Sequence, residues 1–251
     1  MSVRLFFLFL VSFSSVFAET SRPIWPMPSR FPAAPEGVPQ ATYPLPRLEP
    51  VQRAYINNQA ARKNPDAIRL IFDGDSITEG WRRGGKDIWD RRYEKFGAFD
   101  FGIGGDRTQS VLWRLSQGQT DLLHPRLIVL LIGTNNLAAG DTIENTVAGV
   151  TAVVSAYQKC CPEAVILLQG IFPRGAQPAD PIRAKVKAVN QALSRLGDGE
   201  KIIFVDFGDK FLEPDGSLSR EIMPDFLHPS PKGYQIWADA IQPIIDAHLR
   251  K

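Results

Sequence analysis

Four short clusters of glycine and polar residues carry the side chains of this chain that could do chemistry. The clusters are Gly74-Asp75-Ser76, Gly104-Gly105-Asp106, Gly133-Thr134-Asn135 and Asp225-Phe226-Leu227-His228. A serine hydroxyl becomes a good nucleophile when an imidazole removes its proton, and a carboxylate improves that imidazole by fixing its tautomer. One group of each kind is available in Ser76, His228 and Asp225. These residue types therefore indicate nucleophilic catalysis.

The spacing within the clusters supports this interpretation. Asp225 and His228 are three positions apart, which in a turn or at a helix start lets both side chains project to one side. The carboxylate can then accept from one ring nitrogen while the other nitrogen faces Ser76. A tetrahedral intermediate also needs donors for its oxyanion. The main-chain N–H groups of Ser76 and Gly105 and the side-chain amide of Asn135 suit that role, since glycine lets a backbone donor approach closely.

Each cluster also has a purely structural interpretation. Gly-Asp-Ser is common in turns, Asn135 could close a turn, and Asp225 could cap the last helix. A single histidine such as His228 is more often structural than catalytic. The four clusters nevertheless come in order, each after a predicted strand or before a predicted helix, and this coincidence favours a catalytic site.

Strand-like apolar runs alternate with amphipathic helical stretches from residue 68 onward. The predicted strands are 68–72, 98–101, 127–132, 164–169 and 201–205. The predicted helices are 106–115, 142–159, 181–196 and 231–249, with Asp106, Asp141 and Ser230 as N-caps. This alternation predicts an α/β fold with a parallel sheet covered on both faces. The polar clusters then lie at the carboxyl edge of the sheet, where such folds bind ligands.

The first 18 residues are predicted to be a signal peptide. Arg4 supplies a positive charge, residues 5–13 an apolar run, and Val16-Phe17-Ala18 a cleavage site. We expect cleavage after Ala18 and a secreted or periplasmic protein. The alternative is an uncleaved anchor, but the apolar stretch 5–18 is shorter than the roughly 20 residues that span hydrocarbon. We therefore expect no stable membrane insertion after cleavage.

Residues 19–53 are predicted to form a proline-rich arm, and residues 54–251 a single domain. The density of prolines from residue 21 to residue 50 favours extended chain over helix. A formal net charge of +2 is too small to predict binding to nucleic acid. A disulfide between the adjacent Cys160 and Cys161 would be strained, so free thiols are expected, with a vicinal disulfide as the alternative. No pattern predicts an oligomeric state.

No cofactor or metal site is predicted. Residues 80–86 have the spacing of a phosphate-binding loop, but Asp87 stands where Ser or Thr would be needed. His124, His228 and His248 are far apart along the chain. Trp81 and the neighbouring tryptophan and arginines could line a substrate cleft, or they could belong to a helix with one packed and one solvated face.

The clusters, taken with their flanking residues, resemble the signature blocks of the SGNH (GDSL-type) hydrolases. The matching blocks are residues 74–80, 102–106, 133–136 and 225–228, and the resemblance covers residues 68–249. Within that family, residues 101–115 and 170–175 are most similar to the catalytic subunits of intracellular platelet-activating factor acetylhydrolase. The resemblance implies a three-layer α/β/α flavodoxin-like sandwich with a five-stranded parallel sheet in strand order 2-1-3-4-5.

The same resemblance implies a carboxylic ester hydrolase that needs no cofactor. Ser76 would be the nucleophile, Asp225 and His228 would complete the triad, and Gly105 and Asn135 would donate to the oxyanion. A small acyl group such as acetyl is expected, and the predicted export favours an extracellular carbohydrate ester over an intracellular lipid. Two alternatives stay open: a lysophospholipase or thioesterase acting on longer acyl chains, and a non-catalytic glycan-binding protein.

Overall fold

The computed structural model describes residues 33–250. The predicted signal peptide, residues 1–18, and residues 19–32 of the predicted arm lie outside the described residues. Five parallel strands form one sheet in the order β2-β1-β3-β4-β5. They are β1 (Leu70–Gly74), β2 (Ala98–Asp100), β3 (Leu127–Leu131), β4 (Val165–Gln169) and β5 (Ile202–Val205). The predicted fold class and strand order are confirmed.

Eight α-helices accompany the strands within the described residues. They are α1 (Leu48–Arg62), α2 (Ser76–Glu79), α3 (Lys86–Arg92), α4 (Thr108–Ser116), α5 (Thr134–Ala138), α6 (Ile143–Cys160), α7 (Pro181–Leu193) and α8 (Pro231–Leu249). None of the helices in residues 33–250 is both long and apolar enough to cross a membrane.

Helices cover both faces of the sheet because the strand side chains alternate between them. Ile71 and Ile128 point to the face covered by α4, α6 and α7, where they pack in one buried cluster. Leu70 and Phe72 point to the face covered by α3 and α8 and pack in a second cluster. The result is the three-layer sandwich that the sequence predicted.

The aromatic residues that follow the nucleophile are core residues. Trp81 is fully buried, with its ring centroid 4.9 Å from that of Trp237 and 5.4 Å from that of Tyr93. Trp89 is half-buried and packs on Phe72 at 5.0 Å. A substrate cleft lined by Trp81 is therefore wrong, because the two tryptophans belong to the packed face of this segment.

Two of the three predicted helix caps are wrong. Helix α4 is capped by Arg107 instead of Asp106, because the Asp106 carboxylate is engaged by arginine side chains. Helix α6 begins after Thr142, whose hydroxyl accepts from the N–H of Asn145 at 3.1 Å, instead of after Asp141. The third cap, Ser230 before α8, is confirmed.

A helix spans the part of the chain where the sequence predicted the junction between arm and domain. Helix α1 starts at Leu48 and runs across the predicted junction between residues 53 and 54, so the extended chain predicted for residues 21–50 is wrong at residues 48–50. A proline is tolerated in the first turn of a helix, where its missing N–H has no partner to lose. Pro50 lies in the first turn of α1, so it is compatible with the helix although the proline density argued against one. Strand β1 likewise begins two residues later than predicted.

Cys160 and Cys161 are free thiols at the end of α6, the first exposed and the second buried. Their sulfur atoms are 3.9 Å apart. This agrees with the free thiols that the sequence predicted.

Candidate active site

The structure brings Ser76, His228 and Asp225 into one chain of hydrogen bonds. The Oγ atom of Ser76 lies 2.8 Å from His228 Nε2, and His228 Nδ1 lies 2.6 Å from Asp225 Oδ2. With a proton on Nδ1, the ring donates to the carboxylate and leaves Nε2 to accept from the serine hydroxyl. These are the contacts that a Ser-His-Asp triad requires.

A tight turn before α8 holds the imidazole and its carboxylate together. The main-chain N–H groups of Leu227 and His228 donate to Asp225 Oδ1 at 3.1 and 2.8 Å. Partial burial acts to raise the pKa of Asp225, but the hydrogen bonds from the His228 side chain and main chain outweigh it and lower that pKa. Asp225 is therefore ionised at neutral pH, as an orienting carboxylate must be.

Ser76 occupies the first turn of α2, directly after strand β1. The Asp75 side chain caps this helix by accepting from the N–H of Ile77 at 3.0 Å. The hydroxyl of Tyr234, from α8, donates to the Ile77 carbonyl at 2.7 Å and so stabilises this turn. Gly74 leaves no room for a side chain, since a Cβ there would lie 2.1 Å from the carbonyl oxygen of Leu131. The nucleophile thus sits on a rigid support.

The two other predicted donors lie on neighbouring loops. Gly105 has φ +75°, a left-handed conformation that glycine adopts readily. It follows Gly104, where a Cβ would lie 3.8 Å from the Cβ of Ser76, so this loop borders the nucleophile. The side-chain amide of Asn135 donates to the Asp106 carbonyl at 3.0 Å. An amide has two hydrogens, so this bond orients the group and leaves a second hydrogen for another acceptor.

A buried ionic network that sequence reasoning missed supports the Gly105 loop. Arg114 donates from Nε to Asp106 Oδ2 at 3.0 Å and from Nη2 to Asp73 Oδ1 at 2.7 Å. All three side chains are almost completely buried, and Tyr157 donates to the same Asp73 carboxylate. Burial raises the pKa of Asp106 to about 6, although the charge of Arg114 opposes the shift. Two signals were available: an aspartate inside an apolar strand and an arginine on the apolar face of a helix.

The N-terminal segment also reaches this loop. Arg47, the residue before α1, donates from Nη1 to the Gly104 carbonyl at 3.0 Å and lies 3.3 Å from Asp106 Oδ1. Glu79 accepts from the N–H of Gly104 at 2.9 Å and pairs with Arg53 of α1. The sequence carried no signal for these contacts, because they depend on where α1 packs.

Comparison with known proteins matches the sequence of the chain to a family. The sequence profile of the GDSL-like Lipase/Acylhydrolase family matches residues 72–236, which include every strand of the sheet except the first two residues of β1. The chain belongs to this family. As a GDSL-like hydrolase of the SGNH type it is a carboxylic ester hydrolase, and this membership argues against the non-catalytic alternative.

Curated relatives of this GDSL-like hydrolase include two subunits of one mammalian enzyme. Platelet-activating factor acetylhydrolase IB subunit alpha1 of Bos taurus is 36% identical over 166 residues, covering 66% of this chain and 69% of the relative. Subunit alpha2 of Rattus norvegicus is 36% identical over 173 residues, covering 68% and 72%. The likeness thus extends over most of both proteins.

Solved structures share the fold of this GDSL-like hydrolase. A GDSL-like lipase from Bacteroides thetaiotaomicron superimposes with a TM-score of 0.64 at 23% identity, covering 78% of this chain and 97% of that one. An acetylxylan esterase from Geobacillus stearothermophilus gives a TM-score of 0.57 at 20% identity, covering 73% and 96%. At these identities the likeness concerns the fold alone.

Proposed function

We propose that this protein hydrolyses small acyl esters, above all acetyl esters, through an acyl-serine intermediate. The observation that carries the proposal is the continuous chain of hydrogen bonds from Asp225 through His228 to Ser76. Ser76 Oγ attacks the ester carbonyl while His228 Nε2 takes its proton, and Asp225 stabilises the imidazolium that forms. His228 then gives the proton to the departing alcohol, and a water molecule activated by the same imidazole releases the acid.

The negative charge that develops on the carbonyl oxygen needs fixed donors. The N–H groups of Ser76 and Gly105 and the second amide hydrogen of Asn135 are the groups we assign to it. Such donors stabilise the transition state more than the substrate, and losing one typically costs about 2.7–4 kcal/mol of barrier.

Support for an acetyl ester comes from the relatives. The curated proteins at 36% identity are acetylhydrolases of platelet-activating factor, and the acetylxylan esterase shares the fold. The triad is also open to solvent, with the side chains of His228 and Asp225 42% and 55% exposed. An open site suits an ester carried by a bulky alcohol. We infer an acetylated carbohydrate outside the cell, which the predicted signal peptide favours over a lipid inside it.

A cavity next to the triad favours a second candidate, hydrolysis of longer acyl chains. This cavity of about 540 Å³ is bordered by Asp225 and by the apolar side chains of Leu137, Ile182, Phe226 and Leu227. An acyl chain lying there would gain affinity with each added methylene. A lysophospholipase or thioesterase would use the cavity in this way.

Rates on p-nitrophenyl esters from acetate to octanoate, and on acetylated xylo-oligosaccharides, test both candidates. We expect kcat/KM to be highest for acetate and acetic acid to be released from the oligosaccharides, with Ser76→Ala inactive on all of them. A kcat/KM that rises with chain length would favour the second candidate. Glycan binding without hydrolysis of any ester, undiminished in Ser76→Ala, would reject both.

Export is a separate part of the proposal. Mass spectrometry of the protein purified from outside the cytoplasm should find Glu19 as its first residue. A mature chain that retains residues 1–18 would contradict it.

A further inference from the structure

A second cavity, of about 440 Å³, lies between helix α1 and the loop that contains Gly104. We call it the arginine pocket, and its lining includes Arg47, Arg53, Glu79, Arg83, Ile103 and Gly104. Gly104 connects the pocket to the reaction centre, because a Cβ atom on it would lie 2.9 Å from Glu79 Oε2 and 3.8 Å from the Cβ of Ser76. A group bound in the pocket would thus belong to a substrate whose ester lies at Ser76.

The pocket carries more positive than negative charge. Of its three guanidinium groups, that of Arg47 pairs with Asp106, so those of Arg53 and Arg83 are left with the single carboxylate of Glu79. Arg53 and Arg83 both pair with that carboxylate, Arg83 at 3.6 Å, so two cations share one anion. Glu79 also accepts a hydrogen bond from the N–H of Gly104, so part of its remaining hydrogen-bonding capacity is already used. One positive charge is therefore left without a matching carboxylate among these three side chains.

The arginine side chains can reach a ligand. The side chains of Arg83 and Arg53 are 73% and 45% exposed, and that of Arg47 is 34% exposed. Guanidinium groups match the planar, bidentate geometry of carboxylate and phosphate oxygens, so this lining is suited to an anion rather than to a neutral hydroxyl. Arg47 lies against the Gly105 loop, where a Cβ on Gly105 would be 2.9 Å from its Nη1.

We propose that the arginine pocket binds a carboxylate or phosphate group on the alcohol part of the substrate, and so selects anionic esters. This inference rests on the proposed esterase function. A uronic acid in a decorated polysaccharide and a phosphate ester of glycerol both present such a group. Binding it at Arg53 and Arg83 positions the neighbouring ester at Ser76, which lowers KM and raises kcat/KM without altering the chemical steps.

Matched substrate pairs isolate the charge. The first pair is an O-acetylated methyl glucuronoside and its uronate methyl ester, and the second pair is acetylglycerol 3-phosphate and monoacetylglycerol. The readout is the ratio of kcat/KM for the charged ester to that for its neutral counterpart. We expect a ratio of about 10 or more for at least one pair in low salt, falling as KCl is raised because salt screens the attraction. The pair with the larger ratio identifies the source of the anion.

Substitutions then test whether the arginine pocket causes the preference. Arg83→Gln should lower the ratio about three- to tenfold, and Arg53→Gln/Arg83→Gln should bring it close to 1. Arg195→Gln is the matched control, since Arg195 is an exposed arginine beyond the end of α7, outside the arginine pocket, and should leave the ratio unchanged. A ratio near 1 in the wild type, or a high ratio that survives the double substitution, overturns the proposal.

Binding measured without turnover separates this inference from the esterase function. Calorimetric titration of Ser76→Ala with methyl glucuronoside and with glycerol 3-phosphate should show binding of at least one, lost in the triple variant that adds Arg53→Gln and Arg83→Gln. If the wild type hydrolyses no ester but these anions still bind, the anion site is supported and the esterase function is rejected. Hydrolysis of neutral esters with no binding of either anion would do the opposite.

Discussion

The Nε2 atom of His228 lies 2.8 Å from the Oγ atom of Ser76, although the two residues are 152 positions apart in the chain. At this distance the base already faces the hydroxyl that it is to deprotonate. Here little rearrangement is needed before attack.

Removing either partner of this contact should abolish most of the activity. We expect Ser76→Ala and His228→Ala each to lower kcat on p-nitrophenyl acetate by about 10³-fold or more, and Asp225→Ala to lower it by somewhat less. Ser194→Ala, an exposed serine on the turn after α7, should change neither rate nor stability. Circular dichroism and urea unfolding check that each variant folds. Activity within tenfold of wild type in Ser76→Ala would reject the assigned nucleophile.

The contacts among Ser76, His228 and Asp225 could be predicted from the sequence because these residue types are informative by themselves. Few functions other than catalysis explain a serine, an aspartate and a histidine that all follow strand-like runs. The spacing of Asp225 and His228 also indicated that the two residues share a turn. The strand order followed from the family resemblance rather than from the residues. Confirmation of the fold therefore supports the resemblance more than the periodicity argument.

The surroundings of the site could not be predicted, because they depend on long-range packing. Nothing local indicates that Arg47 contacts Gly104, which is 57 positions away. Proline density argued against the helix that in fact begins at Leu48. Asp106 suits a helix cap by residue type, but Arg114, two turns later, engages its carboxylate instead. Local propensity is overridden where a buried charge needs a partner.

Substitution of the adjacent Asn135 and Asn136 should distinguish a catalytic role from a structural role. Asn135 is half-buried, whereas Asn136 is buried and donates to Thr108 Oγ1 at 3.0 Å and to Asp141 Oδ2 at 2.9 Å. We expect Asn135→Ala to lower kcat by about 10²–10³-fold with KM and stability nearly unchanged. Asn136→Ala should instead reduce the free energy of unfolding by about 1–3 kcal/mol. Steady-state kinetics and urea titration of both variants measure these effects. A loss of stability without a loss of kcat in Asn135→Ala would contradict the assignment.

Arg114 should be essential to stability. It is the cation placed between Asp73 and Asp106, so Arg114→Met leaves two buried carboxylates without their shared partner. Breaking a buried ion pair in this way typically costs about 3–5 kcal/mol. The urea midpoint should fall accordingly, and kcat should fall too because Asp106 no longer anchors the Gly105 loop. Arg195→Met serves as the exposed control, and a loss below about 1 kcal/mol in Arg114→Met would contradict the assignment.

The stability of the protein should fall as the pH rises from about 4 to about 7. Burial raises the pKa of Asp75 from 3.8 to about 7, although the hydrogen bond from the N–H of Ile77 opposes the shift. In this range the folded state holds a proton that the unfolded state has lost. Raising the pH therefore favours unfolding until the folded carboxyl also ionises, near pH 7. The raised pKa of Asp100, also about 7, acts in the same direction.

Asp75→Asn should flatten this pH dependence, since an amide cannot ionise but can still cap α2. Between pH 5 and pH 7.5 we expect the variant to lose less unfolding free energy than the wild type, the difference being of the order of 1–3 kcal/mol. Asp215→Asn is the control, because the pKa of Asp215 is shifted in the opposite direction. The hydrogen bonds from Ser217 lower the pKa of Asp215, so its titration lies below this pH range and its substitution leaves the slope unchanged. Urea unfolding across the range measures all three proteins, and parallel curves for the wild type and Asp75→Asn would show that Asp75 is ionised in the folded state throughout.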